Sequence, residues 1–199
     1  MIRPSRIVVL AVFVASGLLA RTTLAQSSAR QPVSPSSYPE AESAFGWSYL
    51  HPDGGGPDSK LGGDFSANYN LASWFGIVVD ASVNHFNGQL SDGTGWGQTE
   101  YAVLGGTRFA LRQSGLLVPY VHLLAGYGRV NLDYSGVSTA SDFFVIQPGA
   151  GVDIGEGKFG ARVEVSWRRM FDQSGAMNRL RVVAGVVIRS APKNRMEWD

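Results

Sequence analysis

The sequence contains no cysteine. That absence excludes a disulfide framework, thiolate metal sites and an N-terminal lipid anchor built on Cys. An excess of one charge sign is missing too. Lys and Arg number 17 against 16 Asp and Glu, for a formal net charge of +1, which argues against nucleic acid as a main partner. No apolar run reaches the ~20 residues that a spanning helix needs. Histidine occurs only three times, so there is little material for imidazole chemistry.

The longest apolar run, residues 7–20, follows Arg3 and Arg6 and precedes Thr23-Leu24-Ala25. A basic start, a short apolar segment and small residues at the −3 and −1 positions form an export signal, with cleavage expected after Ala25. Residues 26–40 are polar and rich in Ser and Pro, and read as a flexible periplasmic lead-in. Residues 41–190 read as one domain, and 191–199 as a C-terminal tail. Glycine is abundant, at 25 residues, without a collagen period. Short strands with Gly-rich turns give this composition.

From Ala41 onward, apolar residues recur at every second position, the period of a strand. Eight strands are expected, near 41–51, 60–71, 74–88, 96–112, 117–132, 142–155, 157–170 and 178–190. Three connections are tight (70–73, 113–116, 155–158). Four are longer and rich in Gly, Ser and Asp (51–60, 89–95, 133–141, 171–177). Short turns on one rim and long loops on the other describe an all-β, eight-stranded antiparallel up-and-down transmembrane barrel, closed by pairing of its first and last strands. Closure is required because every backbone polar group must find a partner inside hydrocarbon.

Alternation leaves the sense of the barrel open, but volume decides it. One face carries about thirty-five apolar side chains, among them Ile77, Val103, Val163 and Val182. An eight-stranded interior is only just wide enough to be filled by side chains, so this face belongs outside, against lipid. The other face mixes small residues with Glu42, Asp64, Asp80, Glu100, Asp153 and Glu164, and with Arg108, Arg112, Arg162, Arg168, Arg179 and Arg181. Six carboxylates facing six guanidiniums predict a lumenal charge network, since buried charges are tolerable only when paired. Aromatic residues fall at two levels. Tyr69, Phe75 and Phe109 lie near the short turns; Tyr49, Tyr101, Tyr127, Phe144 and Trp167 lie near the loops. Together they form the expected lipid-interface girdles. Pro148 lies within a strand and loses a ladder hydrogen bond, so a bulge is expected beside Gly149.

The stretches Asn70-Leu71-Ala72-Ser73-Trp74-Phe75-Gly76, Pro148-Gly149-Ala150-Gly151-Val152-Asp153 and 178–188 resemble the OmpA-like outer-membrane β-barrel family, often labelled porin-family. The resemblance covers residues 41–190. It implies an outer-membrane location, with lipopolysaccharide and the barrel-insertion machinery as partners. The peptidoglycan-binding domain of some relatives is absent, and the chain ends Trp198-Asp199 beyond its last strand, not on an aromatic within it.

No chemistry emerges from the motifs. His51 lies at a loop edge. His122 phases inward toward Arg108 and Glu164. His85 phases outward near the loop rim, while Ser82, the nearest nucleophile in sequence, phases inward. That placement works against a lipid-modifying enzyme, which needs His, Ser and an acid together. Gly149-Ala150-Gly151-Val152-Asp153-Ile154-Gly155 lacks the spacing of a dinucleotide loop. Asp53, Asp58 and Asp92 are loop carboxylates without metal-ligand spacing. The expectation is a non-enzymatic envelope barrel without cofactor or metal, its loops serving adhesion or recognition. Three alternatives stand beside it: a narrow or gated porin, an envelope-lipid enzyme and a soluble periplasmic binding barrel.

Overall fold

In the computed structural model the residues described are 38–53, 58–59, 61–90, 93–112, 116–173 and 175–191. The export signal, most of the lead-in, Asp92 and the tail beyond residue 191 lie outside them. Eight strands follow in order: β1 (Ala41–Pro52), β2 (Leu61–Asn70), β3 (Phe75–Gln89), β4 (Gly95–Ala110), β5 (Leu117–Tyr134), β6 (Val137–Ile154), β7 (Phe159–Asp172) and β8 (Gly175–Arg189). Each pairs antiparallel with the next, and β8 returns to β1, so the sheet closes into a barrel. The closing seam runs from Glu42 opposite Arg189 to Pro52 opposite Arg179.

The registers fix the dimensions. Starting at Glu42, the pairing passes through Asn68, Val78, Gly106, Leu124 and Gln147, continues in unchanged register through Arg168 and Arg179, and re-enters β1 at Pro52. That is ten residues further along the strand. With ~3.3 Å rise per residue and ~4.8 Å between strands, a ten-residue shear over eight strands gives a tilt of about 40° and a backbone radius of about 8 Å. Such a bore admits one layer of side chains from each wall.

The faces divide as alternation requires. Ile77, Val79, Val103, Val121, Leu123, Val163 and Val186 are exposed on the outer wall, whereas Asp80, Glu100, Asp153, Arg168 and Arg181 are buried inside. Large apolar groups therefore face outward around the whole circumference, the inverse of a water-soluble barrel.

Three details depart from the sequence reading. The expected loop at 133–141 is a tight hairpin: Tyr134 pairs with Val137, and Ser135 and Gly136 turn with φ of 47° and 80°. Positive φ at both central residues is the hairpin turn that matches strand twist, so the strands continue through a segment whose polar composition suggested a loop. The expected loop at 171–177 shrinks similarly, because β7 runs to Asp172 and β8 begins at Gly175. Third, there is no bulge at Pro148. The β6–β7 ladder is interrupted only between Ile146–Arg169 and Gly149–Ser166, and the register is the same on both sides. Proline's missing N–H is absorbed by omitting pairs rather than by adding a residue.

Candidate functional site: the lumenal charge network and the loop-end hairpin

The barrel has two unlike ends. At the turn end lie the β2–β3, β4–β5 and β6–β7 connections, the start of β1 and the end of β8. At the loop end lie the other four connections. Inward positions near the turn end converge on two carboxylates. Glu42 Oε2 accepts from Arg108 Nη1 at 3.1 Å and Arg112 Nη2 at 3.0 Å, while Arg189 Nε stands 3.6 Å from Oε1. Asp153 takes a two-pronged contact from Arg162, at 2.7 and 2.9 Å, and a third from Arg108 at 2.6 Å. Paired N–H donors on a planar guanidinium give such contacts direction as well as strength.

Tyr120 joins this cluster to the next. Its ring lies under the Arg108 guanidinium at 3.8 Å and near that of Arg162 at 5.1 Å, and its hydroxyl donates to Glu164 at 2.8 Å. Halfway along the bore, Arg181 gathers three acids: Asp64 by a direct hydrogen bond, and Asp80 and Glu164 at 3.4 Å each. Nearer the loop end, Arg168 donates to Gln147, Glu100 and Ser82 at 2.8, 3.1 and 2.8 Å. Arg179 lies 3.5 Å from Glu100.

All twelve charged residues expected inside are therefore in the lumen and engaged with one another. Arg189 is a thirteenth member that the sequence reading left out, because the last inward position of a strand is hard to separate from its edge. His122 is inward as expected, directly opposite Arg108 across the β4–β5 pair and 3.7 Å from Glu164. Arg168 and Arg181 are 0% exposed, so no water-filled passage touches either.

Small and amide groups share the lumen as expected, among them Ser66, Asn68, Asn84 and Ser166. One part was not anticipated: an apolar block of Ala102, Leu104, Leu124, Val130, Phe143, Val145 and Met170, joined by Val78, packs inside along β4 to β7. A wall that buries Leu104 and Val145 almost completely gains hydrophobic stabilisation from its inner face too. Alternation misses this, because inward apolar residues between outward apolar ones read as a plain apolar run.

The expected interface aromatics all lie on the outer wall. At the turn end Phe75 lies tilted against Phe109 at 5.2 Å and Trp74 stacks on Phe109 at 5.9 Å, and Tyr69 is exposed on β2. Toward the loop end, Tyr101, Tyr127 and Phe144 are exposed and Tyr49 and Trp167 are half-buried. His85 also faces out, with Nδ1 3.0 Å from Thr99 Oγ1, while Ser82 faces in toward Arg168. These two residues do not meet. Among the described residues no three His, Asp or Glu side chains converge as metal ligands.

At the loop end, β6 outruns β7, while β4 keeps pace with β5 as far as Trp96 opposite Tyr134. β6 pairs with β5 from Val137 onward but with β7 only from Phe144, and residues 132–142 are exposed on both faces. Beside the first loop, Asp58 accepts from the Tyr49 hydroxyl, which holds its carboxyl below the usual range. It also meets His51 Nδ1 at 2.5 Å.

No protein-family model and no curated protein matches this chain. Solved structures do. Neisserial surface protein A superposes with a TM-score of 0.59 at 12% identity, over 75% of this chain and 95% of that one. The outer membrane protein OprG from Pseudomonas aeruginosa superposes with a TM-score of 0.54 at 9% identity, over 78% and 97%. At such identities the likeness is one of architecture. The chain has the closed eight-stranded antiparallel fold found in bacterial outer-membrane barrels.

Proposed function

We propose that this protein is an integral outer-membrane barrel that acts as a non-conducting anchor and presents its β5–β6 hairpin outside the cell as a recognition surface. One contrast carries the reading: the lumen closes completely around Arg168 and Arg181, whereas residues 132–142 are exposed on both faces. An interior filled by ion pairs and an apolar block offers no path to solutes, so function moves to what the barrel displays. The wide apolar outer wall supports the membrane location, because a water-soluble barrel would leave that surface uncovered. Lipopolysaccharide around the barrel and the insertion machinery during assembly are the partners this reading implies. No catalytic role is proposed, since His85 and Ser82 occupy opposite faces.

Planar-bilayer recording of purified, refolded protein tests the anchor. The expected trace is quiet, and steady large conductance would establish a pore instead. Replacing residues 132–139 by a minimal turn should leave the heat-modifiable gel shift of the folded barrel intact and abolish binding of whole cells to their target surface.

A further inference from the structure

Nine arginines lie among the described residues. Seven point into the bore: Arg108, Arg112, Arg162, Arg168, Arg179, Arg181 and Arg189. The other two, Arg129 on β5 and Arg169 on β7, are exposed on the outer wall. Their positions follow one pattern. Outward residues on β5 run Leu117, Pro119, Val121, Leu123, Ala125 and Tyr127, and the next is Arg129. On β7 they run Phe159, Ala161, Val163, Val165 and Trp167, and the next is Arg169. Eleven residues of β5 at ~3.3 Å and about 40° tilt span about 25 Å, the height of an outer-membrane apolar band. Each arginine is therefore the first charge beyond the hydrocarbon at the loop end.

The two share one side of the barrel, with an aromatic ridge between them. Tyr101 pairs with Arg129 across β4–β5, Tyr127 with Phe144 across β5–β6 and Phe144 with Phe171 across β6–β7. The Arg169 guanidinium stands over the Phe171 ring at 5.1 Å. Arg129 is steadied by Asn131 at 3.2 Å and by Asp142 at 3.5 Å, and Asp142 also accepts from the Tyr127 hydroxyl at 2.5 Å. At the corresponding outward level the described residues of β8, β1, β2, β3 and β4 offer Asn178, His51, Leu61, His85 and Thr99, none a permanent cation.

We propose that Arg129 and Arg169, with Tyr127, Phe144 and Phe171 between them, form a binding surface for a phosphorylated glycolipid of the outer leaflet. The arginines take the phosphates of its head, and the rings pack against the upper part of its acyl chains. Charge complementarity selects this occupant. Two guanidiniums at the hydrocarbon edge suit an amphiphile with anionic groups at that depth, and rings with one wet side suit the same interface. Asp142 limits the anion's approach to Arg129, so Arg169 is the stronger contact. The proposal rests on the membrane reading above, with the loop end facing outward.

The test uses full-length mature protein refolded in neutral detergent and titrated with bisphosphorylated lipid A, dephosphorylated lipid A or phosphatidylglycerol. Retained lipid is read by native mass spectrometry. The parent protein should hold bisphosphorylated lipid A about tenfold more tightly than the dephosphorylated form, and Arg129→Gln/Arg169→Gln should erase that difference. Lys158→Gln, at the turn end, should preserve it. Equal retention by the double variant, or indifference to the phosphates, overturns the proposal. Phosphatidylglycerol held as tightly as lipid A overturns the glycolipid assignment in favour of a general anionic surface. A heat-modifiable band in every variant shows that the barrel is folded. If the parent protein fails to enter vesicles at all, the membrane reading itself falls, separately from the lipid site.

Discussion

Arg181 is the most informative residue to remove. Its guanidinium lies midway along the bore, 0% exposed, and faces Asp64, Asp80 and Glu164. Arg181→Met keeps an unbranched apolar stem and deletes the guanidinium with its charge and donors. Breaking a buried ion pair by removing one partner costs about 3–5 kcal/mol. The deficit of the variant should thus be about 3–5 kcal/mol at pH 7. Adding Asp64→Asn and Asp80→Asn should restore more than half of it. The assay is urea unfolding in phosphatidylcholine vesicles, followed by tryptophan fluorescence and by gel mobility without boiling. A variant within about 1 kcal/mol of the parent at pH 7 would refute the view that the lumen is held by its charges.

Three further outcomes follow from other parts of the barrel. Val163→Arg puts a cation near the middle of the outer apolar wall and should cost about 2–4 kcal/mol in the same assay, whereas the change should be nearly silent if that wall meets water. Gly106→Val should destabilise by about 1–3 kcal/mol and slow refolding, because a Cβ there runs into the Leu123 carbonyl oxygen, with Leu124 Cα only 2.9 Å away. For Asp58, the depressed titration caused by the Tyr49 hydroxyl means that its pairing is present above the ordinary carboxylate range and is lost as pH falls through its own lower value. Tyr49→Phe should move the carboxyl titration, read by NMR, back toward about 3.9.

The division into outer and inner faces was legible because it repeats every two residues over eight strands, and a volume argument then fixed which face was which. The twelve charges were legible for the same reason. Ends of elements were not. The polar stretch Asp133–Ser141 has loop composition, but Ser135-Gly136 supplies a hairpin turn and β5 continues by its pairing with β6, so backbone pairing prevails over composition. Leu104, Leu124 and Val145 were hidden for another reason. In a closed sheet, an inward Leu beside an outward Val gives no alternation to see, and only the register shows that these residues share one side of the bore. Pro148 was flagged correctly as a fault in the ladder, but whether a strand bulges or skips depends on its neighbour, and β7 simply forgoes the pairs.

The narrowness of the cylinder has a consequence for heredity. Opposite walls are next-door neighbours: Arg162 on β7 reaches Ser66 on β2, and Arg168 on the same strand reaches Ser82 on β3. A substitution on one stave is felt across the tube, so the inside changes by concerted exchange of partners, while the greasy outside accepts almost any side chain that oil will tolerate. Sequences that obey those two rules can differ at most positions and still close the same cylinder. The structures that share this architecture are only 9–12% identical to this chain.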